Sequence, residues 1–138
     1  MPRQADLRRL KVVAGILRDI DGRVLVTERI EDGPFQGLWE FPGGKIGAGE
    51  ELEEALAREL SEEIGVQMLA SDHLMSLRHE YPDRHVEIDF FLVTQWQNEA
   101  RGLEGQGLKW VTVDALADVD LLPADLPVIG KLQSLYRF

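Results

Sequence analysis

Three glutamates, Glu59, Glu62 and Glu63, lie close together near the end of the run 50–64, EELEEALARELSEEI. Strong helix formers fill that run, and Gly65 is placed to close it as a C-cap. At about 100° per residue, Leu52, Leu56, Leu60 and Ile64 form one apolar stripe. Glu59 and Glu63 stand one turn apart at the margin of that stripe, and Glu62 is three residues from Glu59. They are expected to face the protein edge rather than open water. Carboxylates grouped in this way repel one another, and partial burial adds a desolvation cost. A hard divalent cation with a preference for oxygen relieves both. The plainer alternative is a solvated acidic helix face. Two features weigh against it. Glu62 and Glu63 occupy the last turn, where the helix dipole disfavours anions. The helix also follows a glycine-rich loop, Gly43-Gly44-Lys45-Ile46-Gly47-Ala48-Gly49, whose backbone can approach a phosphate or a metal closely.

The whole chain has 138 residues, 44% of them hydrophobic, which suits one domain with a single core over residues 1–138. Its net charge of −10 repels polyphosphate backbones, so bulk binding of DNA or RNA is excluded as a function. A small anionic substrate fits only if cations lie between it and the protein, which again points to divalent metal. No apolar run reaches membrane-spanning length. The N-terminus is basic before an apolar stretch but lacks a small-residue cleavage site, so a signal peptide is not expected. Cysteine is absent, which excludes thiolate catalysis and Cys-type zinc sites and fits a reducing cytoplasm.

The elements that must position the helix are legible in outline. Leu10 to Leu17 reads as a strand, Asp21-Gly22 as a hairpin turn, and Arg23 to Arg29 as the return strand. Residues 30–37 read as a loop, Leu38 to Phe41 as a short extended piece, and Pro42-Gly43-Gly44 as its end. Residues 85–96 predict a long, largely buried strand, Leu108 to Val113 another, and 127–136 a helix opened by Pro127. The fold class expected is α+β, a mixed sheet with a few helices packed on it.

Gly44, five residues, Glu50, seven residues, then Arg58-Glu59-Leu60-Ser61-Glu62-Glu63-Ile64-Gly65-Val66 resembles the Nudix box, here spanning 44–66, at every fixed position. Further segments are similar to the MutT group of that family, which hydrolyses 8-oxo-dGTP. They are Arg29, Glu40-Phe41-Pro42-Gly43-Gly44-Lys45, Tyr81-Pro82-Asp83-Arg84-His85, Glu104-Gly105-Gln106 and Pro123-Ala124-Asp125 with Pro127-Val128-Ile129. The resemblance implies the Nudix α/β/α sandwich around a mixed sheet. It implies Glu59, Glu62 and Glu63 as metal ligands and catalytic residues, joined by the Gly43 carbonyl, with Glu104 binding metal or activating water. Mg²⁺ is the implied cofactor, with Mn²⁺ as a substitute. Gly44, Glu50, Arg58 and Gly65 become structural positions of the motif, with Glu50 and Arg58 forming a charge-assisted pair. Arg29, Glu40, Phe41, Pro42, Gly43, Lys45, Arg84 and Asp125 become the substrate-binding set, Lys45 and Arg29 offering charge to phosphates. The partner implied is a small-molecule nucleoside triphosphate, not a nucleic acid polymer or a membrane, and the enzyme is expected to be a cytoplasmic monomer.

Two positions depart from the MutT pattern. Asp125 stands where MutT has Asn, and Pro34 where it has His. A carboxylate only accepts hydrogen bonds unless protonated, whereas an amide also donates. The implied substrate is therefore 8-oxo-dGTP, with CTP or an oxidised pyrimidine nucleotide as the alternative and a nucleotide-sensing module as a third. Asp125 is expected either to read the base or to cap the helix before Pro127. Tyr81, Phe35 and Trp39 are candidates to stack on a base or to fill the core.

Overall fold

The computed structural model describes residues 8–136. The basic segment 1–7, on which the expectation about a signal peptide rested, lies outside them. In chain order the strands are β1 (Arg8–Leu17), β2 (Arg23–Glu28), β3 (Trp39–Glu40), β4 (Gly43–Lys45), β5 (Gln67–Tyr81), β6 (Arg84–Gln97) and β7 (Leu108–Thr112). Helix α1 (Leu52–Ile64) falls between β4 and β5, and α2 (Leu126–Tyr136) follows β7.

The strands form two sheets rather than the single one expected. The first has the order β4-β1-β6-β5, with β1 parallel to β6 and the outer pairs antiparallel. The second has the order β3-β2-β7 and is antiparallel throughout. Strand alternation sends side chains from β1 and β6 to opposite faces. Val13, Leu17, Phe91 and Val93 meet Leu56, Leu60 and Ile64 of α1. Ala14, Ile16, Ile88 and Phe90 meet Val128 and Leu132 of α2. One helix thus covers each face, which is the expected α/β/α layering. No helix of the described residues is long and apolar enough to cross a membrane.

Helix α1 begins two residues later than its composition suggests. Glu51 is the N-cap, and the Glu54 carboxylate accepts the Glu51 N–H, completing a capping box. Gly65 ends the helix at φ 71°, with its N–H donated to the Ser61 carbonyl. Strand β5, 15 residues long, was not expected. Its register against β6 shifts between Met68 and Ala70, Ala70 and Ser71, and His73 and Met75. Those irregularities break the two-residue alternation by which a strand is recognised.

Strand β4 was also unexpected, because Pro42-Gly43-Gly44 reads as a terminator. Instead Gly43, Gly44 and Lys45 pair with Ala14, Val13 and Val12. The approach is close. A Cβ on Gly43 would lie 2.0 Å from the Val13 carbonyl oxygen and 2.7 Å from the Ala14 Cα, both backbone atoms. Gly43→Ala is therefore expected to part β4 from β1 and to cost about 1–3 kcal/mol or more. Urea unfolding measures this, and an unchanged midpoint would show that the segment tolerates separation.

Candidate active site

A cavity of about 490 Å³ is bounded by β1, β2, the segment from Glu40 to Lys45, α1 and the loop carrying Glu104. Its acidic region is built from α1 upward. The side chain of Glu59 is only 14% exposed, and Arg58 Nη1 donates to its Oε1 at 2.9 Å. A Cβ on Gly44 would lie 2.4 Å from the Glu59 carboxyl carbon, so the missing side chain is what lets this carboxylate rest on the loop backbone. Glu63 Oε2 accepts the Gly43 N–H at 3.3 Å. Burial, then the neighbouring charges of Glu59, Glu104 and Glu40, push the Glu63 carboxyl up to about 8.

Glu104 is exposed on the loop before β7 and lines the same cavity. Its position is set by Gln106, which sequence reasoning did not single out as a site residue. The buried Gln106 amide donates to the Glu63 carbonyl at 3.0 Å and accepts the Glu104 N–H at 2.9 Å. It thereby ties the loop to the last turn of α1. The signal available was a polar residue two positions after Glu104, too little to tell a buried amide from a surface one. Glu62 is placed elsewhere. Its side chain is 59% exposed, it pairs with Arg58 Nη1 at 3.3 Å, and it does not line the cavity.

Arg58 and Glu50 form a forked pair. Arg58 Nε donates to Glu50 Oε2 at 2.8 Å and Nη2 to Oε1 at 2.9 Å. Arg58 Nη2 also donates to the Lys45 carbonyl at 3.1 Å, and Glu50 Oε1 accepts the Gly47 N–H. Those bonds to Arg58 and Gly47 hold the Glu50 carboxyl down at about 2. The glycine-rich loop is thus clamped to the middle of α1.

The remaining cavity wall carries the expected substrate side chains. Arg29 donates to both carboxylate oxygens of Glu40, at 3.1 and 3.4 Å, and burial raises the Glu40 carboxyl while that contact opposes the rise. Lys45 and Arg84 line the cavity as well. Phe41 is buried edge-on against Phe90, so it offers its backbone rather than its ring. Pro42 is buried, and its carbonyl accepts the Gly15 N–H at 2.8 Å. Asp125 is 5% exposed, and its Oδ2 accepts the Phe41 N–H at 3.2 Å. Among the described residues its carboxyl takes the Phe41 N–H and no N–H of α2, so the helix-cap role is set aside. Of the three aromatic candidates, Tyr81 is packed between Phe35 and His79, and Lys109 covers the ring of Trp39.

The donor set around Glu63 is all oxygen, which suits Mg²⁺, Mn²⁺ or Ca²⁺ over softer metals. Among the described residues no three acidic or histidine side chains are already gathered tightly enough to hold an ion. The seat that Gly44 leaves for Glu59, and the mutual repulsion of Glu59, Glu63 and Glu104, nevertheless fit a hard cation.

The chemistry this geometry can support is attack on an anionic phosphate ester or anhydride, and the chain's relatives are of that kind. A family model for the NUDIX domain matches residues 13–131, and the chain belongs to that family of hydrolases, which generally depend on a divalent metal. An 8-oxo-dGTP diphosphatase of Escherichia coli K12 is 39% identical over 94% of this chain and 100% of its own length. A CTP pyrophosphohydrolase of the same organism is 30% identical over 94% of this chain and 95% of its own. A solved structure of MutT, from work on Aliivibrio salmonicida and Vibrio cholerae, superposes with a TM-score of 0.80 at 34% identity. It covers 94% of this chain and 100% of that one.

Arg58→Lys keeps the charge but loses the fork that reaches Glu50 and the Lys45 carbonyl together. Loosening of the loop should lower kcat/KM about 10- to 100-fold, the usual effect of a group that orients a site without touching substrate. Steady-state kinetics with circular dichroism checks this, and unchanged kcat/KM would show that the clamp is dispensable.

Proposed function

We propose that the chain is a nucleoside triphosphate pyrophosphohydrolase whose principal substrate is 8-oxo-dGTP, released as 8-oxo-dGMP and pyrophosphate. The observation that carries this reading is the single cavity in which Glu59, Glu63 and Glu104 gather beside Lys45 and Arg29, with a buried polar group, Asp125, left for a base. The E. coli 8-oxo-dGTP diphosphatase, 39% identical across nearly the whole chain, supports the same substrate.

Glu59 and Glu63 would hold Mg²⁺ with the Gly43 carbonyl, and Glu62 would have to turn inward to complete the set. A divalent cation held there would supply the charge that neutralises the polyphosphate and makes water more acidic. Arg58 restrains the Glu59 carboxylate, and the Gly43 N–H restrains that of Glu63. Glu104 makes no ion pair among the described residues, so its carboxylate is free to orient the attacking water and take its proton. Lys45 lies on the cavity rim, where its ammonium can meet phosphate oxygens. Arg29 Nη1 is already committed to Glu40, which offsets much of its charge.

A second substrate class has one specific support. Asp125 is acidic, the amino group of cytosine can donate to it, and a CTP pyrophosphohydrolase is among the relatives. A hydrolysis panel of 8-oxo-dGTP, dGTP, CTP, 5-hydroxy-dCTP and ADP-ribose with Mg²⁺ decides between them. The highest kcat/KM is expected for 8-oxo-dGTP, and a higher value for CTP would reverse the assignment.

EDTA should abolish turnover and Mg²⁺ or Mn²⁺ should restore it. Glu63→Gln keeps the shape of the side chain but removes its charge, and kcat should fall on the order of 10³-fold. A near-normal kcat for that variant would remove Glu63 from the site. Hydrolysis in ¹⁸O-water should place the label in pyrophosphate, as attack at the β-phosphorus requires. Label in the monophosphate would mean attack at the α-phosphorus.

A further inference from the structure

Asp125 is the most deeply enclosed ionisable group that lines the cavity, at 5% exposed. Its only hydrogen bond among the described residues is the one its Oδ2 accepts from the Phe41 N–H at 3.2 Å. Oδ1 has no protein partner there. The charged and titratable groups around it come from four elements. Glu40 lies at the end of β3, Arg29 just beyond β2, Tyr81 at the end of β5 and Arg84 at the start of β6. Arg29 gives its Nη1 to both carboxylate oxygens of Glu40. The Tyr81 hydroxyl accepts the Ala124 N–H, and Arg84 sits over the Tyr81 ring, its guanidinium carbon 5.4 Å from the centroid. Arg29, the guanidinium whose charge bears on both enclosed carboxyls, is hydrogen-bonded to Glu40 and not to Asp125.

We infer that Asp125 meets the base as an un-ionised carboxylic acid, with Oδ2 fixed as the acceptor of the Phe41 N–H and Oδ1 donating its proton into the cavity. This rests on the function proposed above and specifies how its base is selected. The electrostatics agree with the geometry. Burial first, then the charge of Glu40, pushes the Asp125 carboxyl up to about 8, against the opposing pull of the Phe41 N–H and Arg29.

The chemical consequence concerns which edge of a base can bind. An ionised Asp125 would accept only, and would ask for an amino or imino hydrogen. The un-ionised acid donates, and asks for an acceptor such as the ring carbonyl at C6 of guanine or 8-oxoguanine. A neutral acid pinned in this way acts as an amide would, its carbonyl oxygen held by backbone and its hydrogen directed at substrate. The departure from Asn at this position then keeps the donor. It adds a limit: the donor disappears when the pH rises far enough to ionise the acid.

The test compares the protein with its Asp125→Asn variant, whose donor does not titrate. The ratio of their kcat/KM values for 8-oxo-dGTP cancels the effects of pH on metal, phosphate and base. Because kcat/KM reports groups of the free enzyme, the ratio should hold steady to about pH 7.5 and fall roughly tenfold or more by pH 9.5. Two readouts do not depend on turnover. Infrared difference spectra at pH 7 should show a carboxylic-acid carbonyl band that Asp125→Asn removes. Thermal melts supply the other. The folded pKa is raised above the unfolded one, so the folded state holds the extra proton and stability falls as pH rises between about 4 and about 8. The melting temperature of the protein relative to the variant should fall across that window and level off above it. A missing infrared band with a flat melting difference would show Asp125 ionised and overturn the inference. A protonated Asp125 with a flat kcat/KM ratio would also overturn it, because the proton would then play no part at the base. Failure of 8-oxo-dGTP in the substrate panel would instead fall on the proposed function, with the infrared and melting results still deciding the protonation state.

Discussion

The close pairing of Gly43 with Ala14 is the contact on which the site depends. No side chain fits between these backbones, since a Cβ on Gly43 would stand 2.0 Å from the Val13 oxygen. Once the segment lies there, each residue from Glu40 to Lys45 has a fixed engagement. Glu40 takes Arg29 Nη1, and the Phe41 N–H meets Asp125. The Pro42 carbonyl takes the Gly15 N–H, and the Gly43 N–H meets Glu63. Gly44 leaves room for the Glu59 carboxylate, and the Lys45 carbonyl takes Arg58. Helix, loop and base-side wall are all referred to one short stretch of backbone.

The charges around that stretch are arranged with a deliberate shortage of cations. Arg58 is shared among Glu50, Glu59 and Glu62, and Arg29 among Glu40 and Glu31. Each group leaves one enclosed carboxyl uncompensated, Glu63 in the first, beside the exposed Glu104, and Asp125 in the second. Both are pushed up to about 8. Their surroundings differ, and so do the remedies open to them. Glu63 faces two further acids, one of them on the exposed loop, so a divalent cation with its waters can enter and replace the missing charge. Asp125 is enclosed, with a single backbone donor, so holding a proton costs less than holding a charge. One electrostatic deficit, set in two degrees of burial, thus favours a metal at one place and a neutral acid at the other.

What could be read from the sequence follows from where the periodicity is clean. Helix α1 was legible because its apolar stripe and its closing glycine are both regular, and β1, β2, β6 and β7 because their apolar runs are bounded by turn residues. Strand β5 was not, because its register shifts scramble the alternation and leave Leu69 and several polar groups outward. Strand β4 was hidden by glycines that signal a turn in isolation but here permit a close strand contact. The division into two sheets depends on which strands pair across long separations, and no local pattern encodes that. Within the site, spacing along α1 placed Glu59 and Glu63 correctly at the edge of the apolar stripe. The same spacing could not show that Arg58 draws Glu62 to the outer face, nor that Gln106 would be buried to bridge Glu63 and Glu104.

The same short stretch also bounds what can vary. Phe41 and Gly43 are two residues apart, on either side of a bend at Pro42. The hydrogen-bond donors that locate Asp125 and Glu63 are therefore held at a set separation by backbone alone. Side-chain substitutions cannot alter that separation without breaking the β1–β4 pairing, which the missing Cβ of Gly43 already makes exacting. A cavity framed in this way keeps a constant distance between acids and base. Its selectivity has to be tuned by the hydrogen-bonding character of the group seated against Phe41. Asp and Asn are nearly the same size and differ there in whether the donor can be lost as a proton. Exchange between Asp and Asn at position 125 thus leaves the geometry intact and changes only the pH range over which the donor is present.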